Sequence, residues 1–253
     1  MNRLIISGAS GRMGRLIAQE AAAAGFEVAA GIDRIGEAYA GFRVYEVFTD
    51  LPKADVLVDF SSPGNLPGIL DYAKSQAIPC VLGTTGYTAS DLGLIKDAAD
   101  SIPVFQASNM SFGIYVMAEL ARQAAEMLPG FDIEIIEKHH NQKADSPSGT
   151  ALCLLDAVRH PGQRPVFGRE GRNAQRADGE IGVHALRGGT IPGEHDVGFY
   201  GNNEVFRLVH SAQSRLIFAL GALRAAIYML NKPAGLYGMK DLAKDSAALS
   251  PKE

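Results

Sequence analysis

The sequence predicts an α/β chain built as two unlike domains. A doubly wound, parallel-sheet domain spans about residues 1–109. An α+β domain with a mixed sheet spans about 110–214. Three observations carry this. Strand-length apolar stretches alternate with helical stretches as far as Ala107. Gly8, Gly11 and Gly14 sit between the first strand and the first helix. Beyond Glu180, strands follow one another with no helix between them.

Arg3 to Ser7 reads as the first strand. An Ala-rich helix follows from Arg12 to Ala24 and stops at Gly25, and Phe26 to Ile32 is a strand closed by Asp33. The alternation continues with a strand at Val56–Phe60 and a helix at Gly64–Gln76, Pro67 lying near its start. Ile78–Leu82 is a strand, and Ser90–Ala99 is a helix capped by Ser90 or Thr88. Val104–Ala107 is a further strand. The carboxyl ends of these strands carry small or polar residues, and in an open α/β sheet that edge binds ligands.

In the second part, Ser111–Leu128 reads as a helix stopped by Pro129-Gly130, and Phe131–Glu137 alternates as a strand. Ser148–His160 is a helix capped by Ser148 or Thr150. Residues 161–180, rich in Gly and Arg, read as a basic loop. Strands follow at Glu180–Leu186, Glu194–Tyr200 and Val205–His210, the last two joined by Gly201-Asn202-Asn203-Glu204. Ser211–Leu230 reads as a long apolar helix, and Asn231–Glu253 as a weakly structured tail. The strands from Glu180 to His210 are expected to bury an apolar face against another subunit.

Composition narrows the function. The 253 residues are 47% hydrophobic and 21% charged, an ordinary globular balance. A net charge of −4 argues against a general nucleic-acid binder, and no apolar run approaches a membrane span. Cys80 and Cys153 have no Cys-x-x-Cys partner spacing. With a start that reads directly into the glycine motif, they lead to the expectation of a cytoplasmic protein without a metal site.

The glycines form G-x-x-G-x-x-G with Ser10 at the place of the usual second glycine. A strand precedes them and a helix follows, the context that makes the motif a Rossmann-like dinucleotide turn. Gly8, Ser10, Gly11, Arg12, Met13 and Gly14 are therefore candidate cofactor contacts. Asp33 can accept from the adenosine ribose hydroxyls, whereas Arg34 can pair with a 2′-phosphate. Use of both NADH and NADPH is expected, NADH modestly ahead. Gly83, Thr84 and Thr85 end a strand at the same edge and suit the nicotinamide end.

The second constellation is Glu137-Lys138-His139-His140-Asn141-Gln142-Lys143, followed by Asp145-Ser146-Pro147-Ser148-Gly149-Thr150. In a continuing strand the two histidines point to opposite faces, which disfavours a metal pair. Imidazole and lysine suit proton transfer, and the helix start at Ser148, Gly149 and Thr150 offers N–H groups to a carboxylate. A dianionic small molecule fits such a pocket.

These blocks, together with Asp59-Phe60-Ser61, Ala107-Ser108-Asn109-Met110-Ser111, Arg169-Glu170-Gly171, Arg187-Gly188-Gly189, Gly193-Glu194-His195 and Gly235-Leu236-Tyr237, resemble the 4-hydroxy-tetrahydrodipicolinate (dihydrodipicolinate) reductase family over nearly the whole chain. The resemblance implies NAD(P)H-dependent reduction of a cyclic imine dicarboxylate in diaminopimelate and lysine biosynthesis. It implies a homotetramer assembled through the second domain, and a nucleotide domain completed by about residues 215–253. It places the proton donor at His139 or Lys143, and substrate contacts at His140, Lys143, Gly149 and Thr150, beside Ser148. It adds Phe60, Ala107, Ser108, Asn109 and Met110 to the cofactor contacts. Many members carry an arginine where this chain has Asn141-Gln142, and some carry one where it has Ser62. The competing reading is an amino-acid or imine dehydrogenase of related fold, which has no reason to keep His139 through Thr150.

Overall fold

A computed structural model describes residues 1–34 and 41–245. The chain divides into two compact units, one formed by Met1–Met110 with the segment from Leu216 onward, the other by Ser111–Arg215.

Among the described residues, the first unit holds a seven-stranded parallel sheet. Its strands are β1 (Asn2–Ser7), β2 (Phe26–Ile32), β3 (Val44–Tyr45), β4 (Val56–Asp59), β5 (Cys80–Leu82), β6 (Pro103–Gln106) and β12 (Gly235–Tyr237). They lie in the order β12-β6-β5-β4-β1-β2-β3, so the winding reverses between β1 and β4. Strands buried on both faces read as continuous apolar runs, and Val56, Leu57 and Val58 are all fully buried. Helices α2 (Leu66–Gln76) and α3 (Ala89–Ala99) cover one face, with Ile69, Leu70 and Ile95 against Ile5, Leu57 and Leu82. Helices α1 (Arg12–Glu20) and α6 (Leu216–Met229) pack together, α6 lying along β4, β5 and β6.

Several local boundaries differ from expectation. α1 is regular only to Glu20; the chain then turns and closes at Gly25 (φ +85°), with Gly25 N–H donating to Ala22 O and Phe26 N–H to Ala21 O. That is the Schellman pattern, so glycine ends the helix as its left-handed backbone allows. Thr88 caps α3 in a reciprocal pair with Asp91. The segment after Asn231 is not a loose tail. Its Gly235–Tyr237 adds a parallel edge strand to β6, and α7 (Met239–Lys244) follows. Three edge residues carry no periodicity to detect. Residues 246–253 of the expected C-terminal completion lie outside the described residues.

The second unit is a five-stranded mixed sheet, β11-β10-β7-β9-β8. Its strands are β7 (Asp132–His139), β8 (Arg164–Phe167), β9 (Glu180–Arg187), β10 (Gly193–Tyr200) and β11 (Val205–Ala212). Helices α4 (Phe112–Met127) and α5 (Gly149–Val158) cover one face, burying Ile114, Ala121, Leu154 and Leu155 against Ile133, Ile135, Val183 and Phe199. Full burial of each large aliphatic side chain contributes about 1.5–3 kcal/mol.

Three expectations are corrected in this unit. The segment read as a basic loop contains β8, paired in parallel with β9. Three of its four arginines are paired with acids, Arg164 with Glu180, Arg169 with Glu134 and Glu180, and Arg176 with Asp132 and Glu134. The helix expected from Ser211 starts at Leu216, because Ser211 and Ala212 still pair with Glu194 and Gly193. The sheet face opposite the helices is mixed rather than apolar. Exposed Leu186, Val205 and Val209 lie on it among the pairs Lys138–Glu194, His184–Glu134 and Arg207–Asp196.

Candidate active site

In the first unit, every residue proposed for the cofactor lies at the carboxyl ends of β1, β2, β4, β5 and β6, on one sheet edge. Gly8 adopts φ +77°, and a Cβ there would meet Phe60 O at 2.5 Å. A Cβ on Gly14 would stand 2.3 Å from Gly8 O, so only glycine lets α1 approach β1 this closely. Gly11 is the N-cap of α1 and no side chain caps it, which leaves the helix's first N–H groups to an anion. This cradle fits a dinucleotide pyrophosphate. Arg12 is exposed and Met13 half-buried beside it.

Asp33 closes β2 and is already engaged: one oxygen accepts from Ser10 N–H at 2.9 Å, the other from Arg34 N–H at 2.8 Å. The Phe60 ring lies against Gly83, where a Cβ would come within 2.3 Å of it. Thr84 is buried and gives its hydroxyl to Asp59 at 2.6 Å, whereas Thr85 is exposed. Ser108 is exposed at the edge and Asn109 half-buried. Ala107 and Met110 are buried, and the Met110 carbonyl sits where a Cβ of Gly221 would otherwise be.

Sequence reading gave no role to Asp59. It is fully buried and takes Ser61 N–H and Oγ, at 3.1 and 2.6 Å, as well as Thr84. Burial raises its pKa against these hydrogen bonds. Burial also pushes the Cys80 thiol up to about 12, a value without nucleophilic use at neutral pH.

In the second unit, β7 presents residues 133, 135, 137 and 139 inward. Glu137, fully buried, is the centre. Arg187 of β9 grips it through both terminal nitrogens at 2.7 Å, His139 Nδ1 lies 2.6 Å from Oε2, and Ser148 N–H donates to Oε1 at 3.0 Å. Burial alone would raise the Glu137 pKa, but the hydrogen bonds from Arg187, His139 and Ser148 hold it below the ordinary value. His139 is lowered, chiefly by burial, with Lys143 and Arg187 adding to it and Glu137 opposing.

Ser148 caps α5, its Oγ accepting from Ala151 N–H at 3.1 Å and meeting His195 Nε2 at 3.1 Å. The His195 and His139 rings meet edge to face at 5.2 Å. Arg187 also donates to Asp145 O at 2.7 Å, and Asp145 binds Lys143 Nζ through both oxygens at 2.8 and 2.9 Å. His139, Glu137, Arg187, Asp145 and Lys143 thus form one continuous polar chain. His140 stands apart from it, with Arg215 donating to its Nε2 at 3.2 Å. Gly149 is exposed and Thr150 half-buried in the first turn of α5. Among the described residues no cluster of His, Cys, Asp or Glu could hold a metal ion, and no helix is long and apolar enough to cross a membrane.

Glu137, Asp145, Arg187 and Arg215 were not singled out as site residues from sequence. An acid at an inward position of an alternating strand was the available signal for Glu137. Arg187 lies 50 residues away and only the β7–β9 register brings it opposite His139.

The family profile described as dihydrodipicolinate reductase, N-terminus, matches residues 2–110, and the C-terminus profile matches 113–243. The chain belongs to the dihydrodipicolinate reductase family. The 4-hydroxy-tetrahydrodipicolinate reductase of Caldanaerobacter subterraneus subsp. tengcongensis is 47% identical over 249 residues, 96% of this chain and 99% of that one. The Clostridium novyi reductase is 43% identical, with the same coverage of both chains. A dipicolinate-bound dihydrodipicolinate reductase from Paenisporosarcina sp. TG-14 superposes with a TM-score of 0.77 at 24% identity, over 94% of this chain and 97% of that one. A myo-inositol dehydrogenase from Corynebacterium glutamicum, 15% identical with a TM-score of 0.60 over 99% of this chain and 95% of that one, shares the fold alone. Like its relatives in the dihydrodipicolinate reductase family, the chain is an NAD(P)H-dependent oxidoreductase.

Proposed function

We propose that the chain reduces the cyclic imine dicarboxylate derived from 4-hydroxy-tetrahydrodipicolinate to tetrahydrodipicolinate, in diaminopimelate and lysine biosynthesis. The observation that carries this is the polar chain His139–Glu137–Arg187–Asp145–Lys143 ending beside the first turn of α5. His139, Lys143 and Arg187 meet two carboxylates there, and His140, next to His139 in sequence, is paired with Arg215. That surplus of donors suits a dianion. The Paenisporosarcina relative, which holds a pyridine dicarboxylate, supports the same substrate class.

Residues Gly8 to Gly14, Asp33, Arg34, Phe60, Gly83 to Thr85 and Ala107 to Met110 would hold NADH or NADPH, whose dihydronicotinamide supplies the hydride when bound. Lys143, Ser148, Gly149, Thr150 and His140 hold the substrate carboxylates. Lys143 is the better source of the balancing proton. His139 commits its Nδ1 proton to Glu137, and its lowered pKa keeps the ring neutral near pH 7. We place the enzyme in the cytoplasm as a homotetramer joined through the open face of the mixed sheet; light scattering near 26.9 kDa would overturn that assembly.

The test is a coupled assay with freshly generated substrate and each nucleotide in turn. Oxidation of NADH and NADPH that requires the substrate is expected. Oxidation with other keto acids plus ammonia, and none with this substrate, would favour an imine dehydrogenase instead.

A further inference from the structure

The Glu137 carboxylate is saturated. Oε1 takes Arg187 Nη2 and Ser148 N–H, and Oε2 takes Arg187 Nη1 and the His139 ring. An ionised carboxylate has about four acceptor positions, and all are used. We propose that Glu137, clamped by Arg187, is the positioning residue of this site: it fixes the His139 imidazole with its proton on Nδ1 and a bare Nε2, and ties that ring to the start of α5.

The geometry requires this division. An ionised carboxylate with two guanidinium bonds can only accept, so the nitrogen 2.6 Å away must donate. The other ring nitrogen is then an acceptor. It lies beside Gly193, where a Cβ would come to 3.0 Å of Nε2, so glycine leaves room at that atom. Through Ser148, the same carboxylate fixes the N-cap whose Oγ touches His195, the ring that meets His139 edge to face.

Arg187 has a second effect. A lone carboxylate beside a histidine favours the imidazolium, whereas a guanidinium spanning that carboxylate cancels its charge. The other charged or titratable groups around His139 are His195 from β10, with His210 opposite it on β11, and Lys143 with Asp145 from the loop after β7. Among these, Arg187 is the cation bonded directly to the carboxylate that His139 uses.

The test begins with nitrogen NMR of the histidines in the ligand-free protein, which needs no substrate. His139 is expected with its proton on Nδ1 at neutral pH. Arg187→Gln should raise its titration midpoint by about 1–3 pH units. Glu137→Gln should move the proton to Nε2, because the amide can donate to Nδ1. Thermal melts identify variants that fail to fold. The double variant Glu137→Gln/Arg187→Gln, which buries no lone charge, then carries the tautomer test.

The catalytic consequence rests on the reductase reading. Glu137→Gln should lower kcat by roughly 10–100-fold with little change in KM, and Glu137→Asp should restore part of it. A His139 proton on Nε2 in the wild type, or a midpoint unmoved in Arg187→Gln, overturns the proposal. A normal kcat in a folded Glu137→Gln protein does so too. Wild-type protein inactive on the substrate but carrying the Nδ1 proton would count against the reductase reading alone and leave the positioning role standing.

Discussion

Ser10 donates its backbone N–H to Asp33 at 2.9 Å, so the acid that closes β2 is fastened to the glycine turn that begins α1. A carboxylate pinned there repels a 2′-phosphate, while the adjacent Arg34 is exposed and its guanidinium can meet one, so the two effects oppose each other. The balance between the cofactors should therefore be small, about 1–2 kcal/mol or 5–30-fold in favour of NADH. Asp33→Ala should shift kcat/KM toward NADPH and Arg34→Ala toward NADH. Equal NADPH/NADH ratios in all three proteins would show that neither side chain reads the ribose.

Gly14 tests the cradle itself. An alanine there would drive its Cβ to within 2.3 Å of Gly8 O and 2.7 Å of the Ala9 backbone. Overpacking of this kind costs about 1–3 kcal/mol. Gly14→Ala should lower the melting temperature and weaken nucleotide binding by fluorescence titration, with no effect on the tautomer of His139. Unchanged nucleotide affinity would contradict the placement of the pyrophosphate on α1.

Lys143 spends its ammonium on both oxygens of Asp145. Substrate carboxylate should compete for it. Lys143→Ala removes a charged hydrogen bond and the proposed proton source together. The expected loss in kcat/KM is about 3–5 kcal/mol, hundreds-fold or more. Near-normal turnover would exclude Lys143 from both roles.

Burial, together with the neighbouring His139, pushes His195 down to about 4 from its ordinary 6.5. The unfolded chain then binds a proton that the folded chain refuses between those values, so stability falls as pH drops from about 6.5 toward 4. The loss is at most about 3 kcal/mol. His195→Gln should flatten denaturant midpoints across that window; a midpoint profile identical to wild type would assign the acid sensitivity elsewhere.

Much of the fold was legible because buried parallel strands show as short apolar runs and amphipathic helices as a period of about 3.6 residues, both local signals. β2 was expected at Phe26–Ile32 and is found there, and the Gly201–Glu204 hairpin closes with Gly201 N–H on Glu204 O at 2.9 Å. Failures came where partners rather than pattern make an element. β8 exists because β9 pairs with it, and β12 because β6 does. In the candidate site, the proximity of His139, Lys143 and Ser148 in sequence made the motif visible.

By itself the sequence determined the residue chemistry and its local setting: a glycine turn between strand and helix, and imidazoles, a lysine and a capped helix start within one short stretch. Only the tertiary structure decided how those groups are wired. Glu137 faces inward by strand alternation, but its saturation depends on Arg187 arriving from β9 and on α5 starting within reach of its second oxygen. Those contacts follow from strand register and helix packing over 50 and 11 residues of separation. Such long-range pairing has no local periodicity, because it is set by which buried faces must close together.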